Sequence, residues 1–539
     1  MTTLNIVEML GSNHEEATTF AKEIMDLFPK DIILSGVQQA EIMEQIIPLL
    51  SKKLPNLNEW ESALKGRYCS QEAKLLAGET FRWSCARRVW LSTLETQIEM
   101  GLLQKPPSSE AIQKFKDKLF EFDWDKIREI ERELKHDVKA HITYITKYLV
   151  PELGQTIHLG MTSEDAVSNA EILQQDEWMI HVLRTLGTVI DSAFKQILRY
   201  KSLAMLGETH LQPAAAVTFG KRLAVWTGPL IEDFQDLNQL LESNCLKGVR
   251  GATGTYEALL KMYGGDDSEG FIQEFESKLS QKLGKSITKL AVAQTAPRSW
   301  DIKILDILSR ICTNLGKMAT DIRHLARTGE IGEPRKKNQV GSSAMPWKQN
   351  PMMFERLNSL GRIVSYFAAI AHETARTQGL ERTLDDSAGR RIYMNEAFLL
   401  TDACLRLAVE LMEGFNVFEF VIGKRLEHML PFLVTEDILA SAVKKGDNRE
   451  DVHEWIQVHA KAVVSDMSSG KIQQNDILIR LENDEKSPVT NLVIPSDLDP
   501  HNYTGACDYI CAQFNMNFSD VLHPLEALGG PLKLQKSEV

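Results

Sequence analysis

From Met353 to Gln378 the apolar residues fall at Leu357, Leu360, Ile363, Val364, Phe367, Ile370 and Ala371. Gaps of three and four place them on one face of a long amphipathic helix. Ile302–Leu325 repeats the pattern through Ile302, Leu305, Leu308, Ile311, Leu315, Met318 and Ile322. Glu171–Met205 and Thr218–Leu241 are two further long helical candidates. Period-two alternation is scarce, and no βαβ rhythm appears. Helices of this length exceed the usual globular helix and commonly pair lengthwise in a bundle. Several carry apolar residues on more than one face, which predicts burial on two sides and association between chains.

The breaks in the pattern divide the chain. Gly154 and Gly160 bracket a polar turn before Thr162, and Gly248, Gly251 and Gly254 interrupt the middle. A Gly, Pro and Lys-rich gap separates two long helices between Gly329 and Ser343. Pro431 and Gly446 suggest a new unit after about residue 415. The predicted order is an N-terminal extension of short helices at 1–60, connected through Leu54–Asn58, then a helical domain at 61–160. A central long-helix bundle at 161–415 and a C-terminal helical domain at 416–539 follow, in an all-α chain.

A length of 539 residues fits two or three domains. With 43% hydrophobic and 25% charged residues, a large core needs no disulfide or metal staple. The net charge of −13 argues against coating nucleic acid. It leaves room for a small anion, because a cluster of Arg and Lys in a cleft holds a local positive potential. The seven cysteines are scattered, with no CxxC, and read as reduced. Neither a signal peptide nor a membrane span is visible. These features predict a cytoplasmic protein with no membrane partner.

Five polar segments can carry chemistry, and each has a plainer reading. Gly341-Ser342-Ser343-Ala344-Met345-Pro346-Trp347-Lys348-Gln349-Asn350-Pro351 is a turn of small residues leading into a helix. Backbone N–H groups there can approach an anion, Lys348 adds charge, and Pro351 suits a first helical turn; a solvated, capped loop is the alternative. In Gly207–Ala214, His210 is a candidate acid or base, or a structural histidine. His136-Asp137 in His136–His141 is an active pair or a helix-surface contact. Thr162 or Ser163 caps a helix with Glu164 and Asp165 in its first turn, or binds a ligand as well. The arginines of Glu381–Arg391 suit carboxylate or phosphate, or pair with Asp385 and Asp386.

Together these segments resemble the fumarase/aspartase superfamily. Gly341–Pro351 is similar to its GSSxMPxKxNP signature at every fixed position, Gly207–Pro213 to its GxTHxQP segment and Thr162–Asp165 to its TSED segment. Lys135-His136-Asp137-Val138, Gly251–Thr255 and Glu381–Arg391 resemble the adenylosuccinate lyase branch. The resemblance covers roughly 62 to 480. It implies the three-domain fold of that superfamily, assembled as a homotetramer with shared sites, and β-elimination of fumarate from a small succinyl nucleotide without cofactor or metal.

It also implies roles. Ser342 matches the base, with Ser343 as fallback, and His210 the acid, oriented by Glu355. His136 matches a second active-site histidine. Lys348 and Asn350, with Thr162 and Ser163, match the carboxylate site. Arg67, Tyr68, Lys135, Arg382, Ser387 and Arg391 match nucleotide phosphate contacts. Asp137, Gln294, Arg298 and Met345 match further substrate contacts. A serine becomes a base only if Lys348, backbone N–H groups and the helix start after Pro351 act together in a dry site. Trp347 and Lys135 depart from the family, which often has His or Tyr and Arg there. Argininosuccinate lyase chemistry and an inactive helical scaffold are the competing expectations.

Overall fold

The structure, a computed structural model, describes Ser62, Leu64 and residues 67–335, 344–495 and 498–532. Ser342, Ser343 and the short helices expected at 1–60 lie outside these residues. The described chain opens with α1 (Gln71–Ala77), α2 (Glu79–Glu99), α3 (Ser109–Asp117), α4 (Trp124–Leu134) and α5 (Asp137–Tyr144). The long α6 (Ser163–Arg199), a hairpin of β1 (Ala204–Thr209) and β2 (Gln212–Thr218), and α7 (Phe219–Ser243) follow. Next come α8 (Glu257–Tyr263), α9 (Ser268–Leu283), α10 (Ser299–Arg327), the short β3 (Ile331–Gly332), α11 (Met352–Thr377) and α12 (Asp385–Gly414). The chain closes with β4 (Asn416–Val417), α13 (Glu419–Lys444), α14 (Arg449–Ser468), α15 (Ile477–Glu482) and α16 (Cys507–Asn517).

The fold is all-α apart from two small antiparallel ladders among the described residues, β1–β2 and β3–β4. The expected stripes form the bundle core. Leu186 of α6, Phe234 of α7, Leu315 of α10, Leu357 of α11 and Phe398 of α12 meet in one cluster. A second core joins α2, α5 and the start of α6 to the 246–296 stretch through Trp90, Ile145, Leu173, Leu246 and Phe275. A third, smaller one gathers Val434, Trp455 and Leu481 near the C-terminus.

Two local expectations need correction. The helix expected over Glu171–Met205 starts earlier and ends at Arg199. There the Gly220 N–H reaches the Tyr200 carbonyl at 2.9 Å. A Cβ at Gly220 would lie 2.6 Å from the Ile197 carbonyl oxygen, so only glycine lets the hairpin's exit cross the helix end. Pro431, read as a break, lies inside α13.

Candidate active site

The turn between α4 and α5 projects three side chains into one open cavity. Lys135 ends α4 in the left-handed region at φ 54°. His136 caps α5: its Nδ1 accepts the Lys139 N–H at 3.4 Å. The neutral ring therefore carries its proton on Nε2. Asp137 follows in the first turn and accepts from Arg391 at 2.7 Å.

A second wall is the start of α6. Thr162 and Asp165 form a reciprocal capping box, with the Thr162 N–H on the Asp165 carboxylate at 2.8 Å. Asp165 is fully buried and also accepts from Lys247 Nζ at 2.5 Å and from the backbone N–H groups of Arg250 and Gly251. The capping reading of this segment therefore holds, and Thr162 and Ser163 still line the cavity.

The third wall combines the 294–298 stretch with α12. Gln294 donates to the Ala252 carbonyl at 3.0 Å, while its own N–H reaches the Glu381 carbonyl at 3.2 Å. These contacts bring Gly251–Thr255, Gln294 and Arg382 together. Buried Arg298 donates to Asp386 at 2.6 Å. Arg382 reaches Asp386 at 3.2 Å and Glu164 at 3.1 Å. Of the three arginines in Glu381–Arg391, only Arg382 pairs with Asp386, as the plainer reading had it, and it does so in the wall of a cavity; Arg390 and Arg391 pair instead with Asp301, Glu171 and Asp137.

The cavity holds about 460 Å³, within the usual range of small-molecule sites. Lys135, His136, Asp137, Thr162 and Ser163 line it from one side, and Gln294, Arg298, Arg382, Ser387 and Arg391 from the other. Sequence reasoning missed Arg82, Glu164 and Glu171 as cavity residues and quoted Arg390 only as part of a run. Arg390 binds Asp301 through two nitrogens at 2.7 and 2.9 Å and Glu171 at 2.6 Å. Burial pushes Glu171 up, but Arg390 and Arg82 outweigh it and hold the carboxyl at about 2. These buried pairs fix the direction of the guanidinium groups before any ligand arrives. Lys135, at the mouth of the same cavity, is exposed.

Other expected residues lie elsewhere on the same chain. Met345, Lys348 and Asn350 sit in the segment before α11, with Lys348 exposed. Glu355, in the first turn of α11, is half exposed and faces Arg323 at 3.6 Å, not His210. Tyr68, next to Arg67, lies under the Arg356 guanidinium at 5.2 Å from the ring centre. His210 is exposed at the tip of the β1–β2 hairpin, where Thr209 pairs with Gln212. His210 and Leu211 both have positive φ, 53° and 59°, as a two-residue turn of this kind requires. No group of three or more metal-ligating side chains occurs among the described residues.

The "Lyase" family model matches residues 73–365, and the "Adenylosuccinate lyase C-terminus" model matches 431–514. Adenylosuccinate lyase of Schistosoma mansoni is 33% identical over 87% of this chain and 97% of its own. That of Saccharomyces cerevisiae is 33% identical over 88% of this chain and 98% of its own. Among solved structures, 3-carboxy-cis,cis-muconate lactonizing enzyme from Pseudomonas putida superposes with a TM-score of 0.73 at 20% identity, covering 86% of this chain and all of that one. Fumarate lyase from Mesorhizobium sp. BNC1 does so at 0.67 and 20%, covering 84% of this chain and 99% of that one. At such identities these two establish the fold alone.

Proposed function

Because this chain belongs to the adenylosuccinate lyase family, we infer that it eliminates fumarate from adenylosuccinate to give AMP, and from the succinyl-carboxamide imidazole ribotide of purine biosynthesis. The observation that carries the reading is the cavity between α5, α6 and α12, a nucleotide-sized space lined by Lys135, His136, Arg382, Ser387 and Arg391. An argininosuccinate-type substrate has no phosphate to engage Lys135, Arg382 and Arg391.

In the proposed reaction Ser342 takes the proton from the carbon beside the carboxylate. The C–H electron pair forms the new double bond, the C–N bond breaks, and its pair goes to the nitrogen. His210 protonates that nitrogen, with Glu355 orienting its ring. Lys348 and Asn350, with Thr162 and Ser163, hold the carboxylate on which charge builds. Ser343 and Met345 flank it. Arg67, Tyr68, Lys135, Arg382, Ser387 and Arg391 take the phosphate. Asp137, Gln294 and Arg298 position the rest of the substrate. His136 presents Nε2–H as a donor to it.

On one chain the described members of this set fall into three clusters: the cavity, the start of α11 and the hairpin tip. A site needing all three therefore favours a homotetramer with shared sites. The exposed apolar residues Ile363, Tyr366 and Ile370 along α11 offer a face for it. A cytoplasmic setting fits the free cysteines. The test is loss of the succinyl-adenine absorbance with stoichiometric fumarate release. Turnover of argininosuccinate instead would overturn the assignment. Mixing inactive His136→Gln and Ser342→Ala chains should restore part of the activity if sites are shared, and no recovery refutes sharing.

A further inference from the structure

The helix that carries Glu355 begins without a capping side chain of its own. Its N-cap is Pro351, which offers no acceptor. The amides of the second and third helical residues, Met353 and Phe354, are the ones a cap normally satisfies. Here the acceptor comes from 21 residues upstream: Glu333 takes the Phe354 N–H at 2.9 Å. The Met353 N–H also bonds to it. Glu333 is itself buried. Its segment is fixed on the far side, where Asn416 Nδ2 of β4 donates to the Glu333 carbonyl at 2.5 Å. The positive end of α11 is thus already filled by a carboxylate.

We propose that Glu333 is a positioning residue for the elimination, its ionised carboxylate fixing the first turn of α11 and so the placement of Glu355 and of the Lys348–Asn350 segment. The role rests on the reaction proposed above. The charged neighbours are few: Arg335 on its own segment and Arg356 on α11 favour ionisation, and β4 contributes only the neutral Asn416. Glu330, further back on the same segment, is paired with Arg425 of α13. Burial is the larger influence and pushes Glu333 up to about 7.

The sign separates positioning from simple structural support. A carboxyl raised from 4.5 to about 7 favours the fold when protonated, and that contribution is lost as pH rises through 7. The ionised form is nevertheless the stronger acceptor for the two amides. Stability from this group therefore grows toward acid, while correct placement of α11 grows toward alkali.

The experiment is kcat against pH for fumarate release from adenylosuccinate, with thermal melting at each pH. The unsubstituted protein should lose kcat on the acid side with a midpoint near 7. Glu333→Gln should remove that limb and lower kcat at pH 8 by about three- to tenfold, while its melting temperature at pH 8 stays level or rises. Glu333→Asp keeps the charge but draws it back from Phe354, so its acid limb should persist with a moved midpoint. An unchanged limb in Glu333→Gln, or an unmoved midpoint in Glu333→Asp, overturns the role alone. No turnover by the unsubstituted protein at any pH overturns both the activity and the role.

Discussion

Arg391 donates to Asp137 at 2.7 Å although the two lie 254 residues apart. The contact joins α12 to the turn that carries Lys135 and His136. Burial pushes Asp137 up, but the hydrogen bonds from Arg391 and the Val138 N–H, together with the charges of Arg391 and Arg82, outweigh it and hold the carboxyl below its ordinary value. The pair is therefore charged at neutral pH, and a phosphate entering the cavity meets an arginine already held in place.

Arg391→Gln should raise KM for adenylosuccinate by about one to two orders of magnitude, the worth of one charge-assisted hydrogen bond of ~1.5–3 kcal/mol. kcat should change much less. Steady-state kinetics check this. An equal fall in kcat with KM unchanged would place Arg391 outside phosphate binding.

His210 offers an unusual separation of stability from activity. Its φ of 53° is strained for any residue but glycine, and its side chain is exposed. His210→Gly should leave the melting temperature unchanged or raise it. The same substitution should cut kcat by ~10²–10⁴, the usual contribution of a positioned proton donor.

His181 is fully buried, 2.7 Å from Asp402 and 3.6 Å from Glu72. Burial alone would lower its pKa, but Glu72 and Asp402 together push it up to about 10. The contribution to stability is complete below 6.5, the unperturbed value, and is lost as pH rises toward 10. His181→Gln should cost about 3–5 kcal/mol at pH 6, as loss of one buried ion partner does. The difference from the unsubstituted protein should shrink by pH 10, read from denaturant midpoints.

Gly254 has a φ of 75°, and a Cβ there would stand 2.0 Å from the Val292 carbonyl oxygen. Gly254→Ala must move the stretch that carries Gln294. The expected result is a lower melting temperature and a raised KM. A variant with unchanged KM would show that Gln294 tolerates the shift.

The long helices were readable because their stripes are local: α10 and α11 cover the apolar repeats at Ile302–Leu325 and Met353–Gln378 almost residue for residue. The hairpin was not. β1 is buried along most of its length, so it reads as an apolar run without alternation. Its turn is His210-Leu211, where the usual Asn-Gly signal is missing. The residues Lys135, His136, Arg382 and Arg391 were found because they resemble a family pattern. The acids that hold the cavity's arginines were not, because Arg390 meets Glu171 across 219 residues and no local spacing announces such a pair. Glu333 escaped notice for the same reason, as its partner amides belong to a helix that starts after the signature segment.

Asp165 gathers Thr162, Lys247, Arg250 and Gly251 onto one buried carboxylate. The loop that offers Thr162 and the loop that braces Gln294 are thereby yoked. In evolutionary terms neither can drift alone: a substitution that shifts one displaces the acceptor of the other. Paired changes across this node should be strongly epistatic, and new substrate preferences should arise more readily at the Lys135 and α12 walls, which Asp165 does not touch.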